Sequence, residues 1–213
     1  MKKALLLFAA LLVAGCGEKS SSEGSESVSE KPTAPSEEVK PSADSPEPLI
    51  SDADVERFAK DAMDTRGSPP EDYTGWTKVF YGGRLRELMQ WKNGKPDGRA
   101  MLWHDNGKKR SEATYKDGEP DGLETEWYEN GQKKSEETWK DGKADGPATM
   151  WHENGQKAVE ATMKDGKPDG LWTAWHENGQ KAAEGILNDA DFVSGKYWNS
   201  KGEEVETQEE AFE

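Results

Sequence analysis

The chain reads as all-β, an elongated twisted antiparallel sheet of 24-residue hairpin repeats preceded by a signal peptide, a disordered tether and a short helix. Three observations predict this. First, a shift of 24 residues superimposes Asp97-Gly98, Asp121-Gly122, Asp145-Gly146 and Asp169-Gly170. It also superimposes Trp103, Trp127, Trp151 and Trp175, and Asn106-Gly107, Asn130-Gly131, Asn154-Gly155 and Asn178-Gly179. Lys109, Lys133, Lys157 and Lys181 follow the same register, as do Glu112, Glu136, Glu160 and Glu184, and so many coincidences at one period mark a repeat array. Second, Asn-Gly and Asp-Gly between strand-like runs are hairpin signals, because the turn needs positive φ, which glycine adopts freely. Third, nine Trp and 22 Gly do not suit a featureless polar chain, although 32% hydrophobic residues, a net charge of -15 and a mean hydropathy of -1.05 would by themselves describe disorder.

Residues 1–16 read MKKALLLFAALLVAGC, with Lys2 and Lys3, an apolar run and then small residues, the layout of a secretory signal. The run is too short to span a bilayer as a mature helix. Val13-Ala14-Gly15-Cys16 resembles the bacterial lipobox, which implies lipidation of Cys16 and attachment to the cell envelope through the N-terminal lipid. Gly17 follows the cysteine where an inner-membrane retention signal would place Asp, so the resemblance favours the outer membrane over the inner. With a single cysteine, no intrachain disulfide is available.

Residues 17–50 hold nine Ser, five Pro, eight acidic residues and three Lys, an acidic solvated tether with almost nothing to bury. Residues 51–75 form a short helix and cap: Val55, Phe58, Ala59 and Met63 recur on one helical face, and Gly67-Ser68-Pro69-Pro70 stops it. The helix reads as a lid over the first exposed edge of the sheet, with a partner-binding helix as the alternative.

The repeat domain is placed at residues 76–202, with a degenerate half unit from Tyr81-Gly82-Gly83 to Trp91 and another around Trp198 and Gly202. The apolar pattern selects a three-residue loop, Glu129-Asn130-Gly131, a type I turn with the glycine in a bulge, which places Trp127 opposite Lys133. That register puts Trp103 with Tyr115, Trp127 with Trp139, Trp151 with Met163 and Trp175 with Leu187 on one core face. The turn glycines are Gly107, Gly131, Gly155 and Gly179, and Lys167-Pro168-Asp169-Gly170 suits the same turn type. An acidic tail fills 203–213, and the acidity is concentrated in the flanks, leaving the repeats with a net charge of only -2.

Trp127-Tyr128-Glu129-Asn130-Gly131-Gln132-Lys133 and Trp175-His176-Glu177-Asn178-Gly179-Gln180-Lys181 resemble the MORN repeat family in its bacterial variant, over about 125 residues from Trp76 to Gly202. The resemblance implies successive hairpins advancing about 10 Å per unit. It also implies a scaffold or attachment role, and this variant is often labelled antitoxin-like.

No nucleophile elbow, phosphate-binding loop or metal-ligand spacing occurs, so neither an enzyme nor a cofactor or metal is expected. His104, His152 and His176 share one repeat position with Tyr128, but neighbouring units stand too far apart to converge on one ion. The recurring Lys and Glu read as a cross-strand charge ladder. Trp172, on the face opposite Trp175, is expected to join His104, Tyr128, His152 and His176 in an exposed stripe for a partner. The expected function is a lipid-anchored, non-enzymatic protein-interaction scaffold, with an antitoxin-like or immunity protein and glycan or peptidoglycan binding through the aromatic face as alternatives. The partners expected are the membrane and a protein. Nucleic acid is excluded by the overall acidity and by the export signal.

Overall fold

Each repeat supplies two short strands because two kinds of glycine turn divide it. The computed structural model describes residues 52–65 and 68–212. The signal peptide, Cys16 and the tether of the sequence reading lie outside them. A helix, α1 (Asp52–Asp61), precedes β1 (Met63–Asp64), β2 (Gly75–Tyr81), β3 (Arg84–Lys92), β4 (Lys95–Trp103) and β5 (Lys109–Lys116). There follow β6 (Glu119–Pro120), β7 (Gly122–Trp127), β8 (Lys133–Lys140), β9 (Lys143–Trp151) and β10 (Lys157–Lys164). The chain ends with β11 (Lys167–Trp175), β12 (Lys181–Asn188), β13 (Asp191–Trp198), β14 (Glu204–Val205) and helix α2 (Gln208–Ala211). The 14 strands form one sheet in chain order, with β6 and β7 both against β5, and every pair is antiparallel except β1 with β2.

The Asn-Gly loop is the three-residue turn the sequence predicts. The Gly131 N–H donates to the Tyr128 carbonyl at 2.9 Å, the Tyr128 N–H to the Gln132 carbonyl at 2.9 Å, and Trp127 stands opposite Lys133. Gly131 takes φ +93°. At the other edge the strands turn on two consecutive positive-φ residues, Asp117-Gly118, Asp141-Gly142 and Asp165-Gly166. Lys167-Pro168-Asp169-Gly170 is therefore not a turn, as the sequence suggested, but the opening of β11, where an irregularity in the pairing with β10 accommodates Gly170 at φ +105°.

The expected core pairing is also corrected. Directly after Trp127 opposite Lys133 the register slips by one, so Glu126 faces Ser135 and Lys134 is an extra residue. The same slip follows Trp103, Trp151 and Trp175. One added residue reverses the facing of the strand beyond it. Trp103, Trp127, Trp151 and Trp175 thus lie on one face, here face A, and Tyr115, Trp139, Met163 and Leu187 on the opposite face B. On face B each of the latter stands opposite a glycine, in the pairs Gly98 with Tyr115, Gly122 with Trp139, Gly146 with Met163 and Gly170 with Leu187. All four glycines take positive φ, and a Cβ at Gly122 or Gly146 would stand 3.3 or 3.1 Å from the side chain of Thr114 or Thr138. Between them runs a floor of small residues, with Ala100, Ala113, Ala161, Ala174 and Ala183 all buried.

Face A holds a buried apolar cluster under α1. Leu88 and Met101, both 0% exposed, pack with Ala62 against Val55, Phe58, Ala59, Trp76 and Trp103, and Phe58 stacks on Trp76 with centroids 4.7 Å apart. One repeat later the same two positions hold Glu112 and Thr125. Met63, expected on the helical face, instead belongs to β1, which adds to the outer edge of β2. At the far end the acidic tail folds onto the array rather than remaining a solvated flank. β14 pairs with β13, Thr207 and Glu210 form a reciprocal capping box for α2, Ala211 is 2% exposed, and Phe212 packs 5.4 Å from His176.

Candidate functional site

The residues that define the repeat are used mainly to join each unit to the next. The side chains of Asn106, Asn130, Asn154 and Asn178 donate through Nδ2 to the carbonyls of Glu129, Glu153, Glu177 and Ser200, at 2.7–2.9 Å. Their Oδ1 atoms accept the backbone N–H two residues on, which closes the turn. At the opposite edge Asp97, Asp121 and Asp169 accept the backbone N–H of Asp117, Asp141 and Asp189, 20 residues along.

The ring ladder has the same role. His104 Nε2 lies 2.8 Å from the Trp127 carbonyl, His152 Nε2 2.9 Å from that of Trp175, and His176 Nε2 2.9 Å from that of Trp198. The Tyr128 hydroxyl donates to the Trp151 carbonyl at 2.8 Å, in the second unit's version of the same contact. A carbonyl only accepts, so each imidazole carries its proton on Nε2 in this arrangement. Burial, followed by the charges of Glu153 and Glu126, pushes the Tyr128 phenol up from its ordinary pKa. The structure thus divides the five residues expected to form one stripe. The four rings are half-buried at the Asn-Gly turn end and bonded to the next unit, whereas Trp172 lies in mid-strand on face B between Ala161 and Gly185. Trp172 shares that face with Met163 and Leu187, and its buried Nε1 has no hydrogen-bond partner among the described residues.

On face A, Lys109 lies over the ring of Trp127, Lys133 over Trp151, Lys157 over Trp175 and Lys181 over Trp198, at 5.4–5.9 Å from the centroids. Each lysine also pairs with the glutamate three residues on, Lys109 with Glu112 at 2.7 Å, Lys133 with Glu136 at 2.6 Å, Lys157 with Glu160 at 2.9 Å and Lys181 with Glu184 at 2.6 Å. Residues three apart on a regular strand point to opposite faces. The extra residue between them, at 110, 134, 158 or 182, brings lysine and glutamate to the same side. The charge ladder therefore runs along each strand, not across strands as expected. A sugar ring stacking on these indoles would have to displace the ammonium already there.

Face B changes character in the second unit. Glu124 stands directly opposite Glu137, and Glu126 opposite Ser135. Burial is the largest influence on both Glu124 and Glu137 and raises their pKa values; Glu126 adds to the rise at Glu124, and Glu124 and Glu126 add to it at Glu137. The Trp139 indole N–H exerts a smaller, opposing influence on Glu124, although its buried Nε1 makes no hydrogen bond of good geometry among the described residues. Lys134 pairs with Glu126 at 3.1 Å. Among the described residues no group of His, Cys, Asp and Glu could hold a metal ion.

A single sheet whose signature side chains join consecutive hairpins defines a repeat protein. Four segments, residues 96–117, 120–141, 144–165 and 168–189, match the MORN repeat variant. Each starts just after one of the two-residue turns and ends in the next, so the family unit is the pair of strands joined by the Asn-Gly loop. No curated protein matches the chain significantly.

Proposed function

We propose that the protein is a lipid-anchored, non-enzymatic binding scaffold of the bacterial cell envelope, tethered through Cys16 and presenting its sheet to a protein partner. The observation that carries this reading is the use of the repeat signature. Asn, His or Tyr, Lys and Trp of each unit, and Asp of three of the four, bond to or stack on the neighbouring unit, so the recurring polar groups build a platform and carry no recurring chemistry. The lipobox-like Val13-Ala14-Gly15-Cys16 and the acidic, Ser- and Pro-rich stretch behind it supply the anchor and the reach.

Two measurements test the proposal. In the Cys16→Ala variant the protein should leave the membrane fraction while the repeat fold persists; continued sedimentation with membranes in the absence of detergent would refute the anchor. In-cell crosslinking from surface positions on both faces should capture a defined envelope protein. Capture of a toxin would change the reading to neutralisation, and capture of nothing would refute the scaffold.

A further inference from the structure

Comparison of the repeats with one another separates what the stack needs from what it does not. The position of Glu124 holds Ala100, Ala148 and Trp172 in the other units, that of Glu126 holds Leu102, Met150 and Ala174, and that of Glu137 holds Ala113, Ala161 and Gly185. Three positions on the apolar face B have thus become carboxylates in one unit only. Nothing in the packing asks for them, since the neighbouring units fill the same places with small or apolar side chains. Two glutamates directly opposite each other repel, and half-burial adds a desolvation cost. Among the described residues Lys134 and Ser135 contact Glu126, and no cation pairs with Glu124 or Glu137. The Trp139 ring borders them two residues beyond Glu137 on β8, and Tyr115 lies on the adjoining strand β5, where Glu124 and Glu87 help burial to raise its phenol.

We propose that face B of the second unit docks a basic segment of a partner protein, its lysine or arginine side chains meeting the Glu124, Glu126 and Glu137 carboxylates beside the Tyr115 and Trp139 rings. The proposal rests on the scaffold reading and specifies its partner. Charge complementarity selects the occupant. A cation relieves the Glu124–Glu137 repulsion, and an aromatic border favours lysine or arginine over a small hydrated ion. A glycan offers no charge to offset three carboxylates, and an acidic peptide would be repelled. Bound against a half-buried carboxylate pair, the cation is screened less than it would be on the lysine-covered face A.

The test uses the full-length protein and two synthetic decapeptides, one alternating Lys and Gly and the other alternating Glu and Gly, titrated at moderate salt. The Lys-Gly peptide should bind saturably and the Glu-Gly peptide should not. The Glu124→Gln/Glu137→Gln double variant should weaken binding about tenfold or more, the scale of one or two lost charge-assisted contacts. Glu160→Gln/Glu184→Gln makes the same change in net charge on face A and should leave the affinity within about twofold. Absence of saturable binding, or equal losses in both double variants, would overturn the proposal. Both variants should fold, since Gln removes repulsion in one case and an exposed ion pair in the other. Crosslinks formed from other surfaces, together with a failed peptide titration, would refute this site and leave the scaffold standing.

Discussion

Asn154→Ala should uncouple the third repeat from the fourth. Asn154 Oδ1 accepts the Gln156 N–H at 2.9 Å and its Nδ2 donates to the Glu177 carbonyl at 2.7 Å, both at an exposed turn. A net hydrogen bond contributes about 0.5–1.5 kcal/mol, and water can reach the groups left behind, so the truncation should cost about 1–2 kcal/mol. In a stack whose units touch only their neighbours the loss should be local. Hydrogen exchange is the informative assay, read at the Gly179 N–H, which bonds to His176, and at the His176 N–H, which bonds to Gln180. Both should lose protection by about tenfold or more, while Gly107 and Gly131 keep theirs. Asn154→Asp keeps the acceptor within the turn and puts a carboxylate oxygen in place of the donor against the Glu177 carbonyl. It should lose at least as much as the alanine variant. If Asn154→Asp matches the wild type, or if protection falls equally along the whole array, the joining role assigned to this side chain is wrong.

Ala190 adopts φ +71° at a turn position filled by Gly94, Gly118, Gly142 and Gly166 in the other hairpins, and left-handed alanine costs about 1 kcal/mol. Ala190→Gly should therefore raise stability by about 0.5–1 kcal/mol in a thermal melt, and a lower midpoint would contradict the strain. Glu124 and Glu137 are shifted above their ordinary range, so the folded state binds protons more readily than the unfolded one. Their destabilising effect is greatest at neutral pH and disappears as pH falls through the raised folded values toward the ordinary carboxylate range. Wild type should gain stability relative to Glu124→Gln/Glu137→Gln as pH falls from neutral toward the ordinary carboxylate range. An unchanged difference between the two melts would show that the pair is not strained.

The sequence disclosed the period, the loop and the pairing of Trp127 with Lys133 because these depend on residues fixed by local backbone need, above all glycine at positive φ. It concealed the facing of the strands. A bulge adds one residue to one strand without altering the 24-residue period, so the apolar pattern remains equally regular whether Trp127 and Trp139 share a face or oppose each other. One signal was present. Lys133 and Glu136, three apart, could pair on one face only across such a bulge. The Lys167-Pro168-Asp169-Gly170 turn misled for a related reason, since proline followed by glycine describes a strand irregularity as well as a turn, and the adjacent Asp165-Gly166 had already reversed the chain. The tail misled through composition: the Thr207–Glu210 capping box and the apolar Ala211 and Phe212 were readable in a segment whose acidity suggested only solvation.

Repetition has a further physical consequence. Where every unit must present the same polar groups to its neighbour, selection for the stack acts on the signature positions and leaves the remaining positions open to differ between units. Leu88 and Met101 differ because α1 covers them. Glu124, Glu126 and Glu137 differ with no element of the described chain covering them, and they add repulsion where their counterparts add none. A stable array bears such a local cost readily, because each unit's loss is shared only with its neighbours. That makes the second unit of face B the place where binding can be tuned without dismantling the platform.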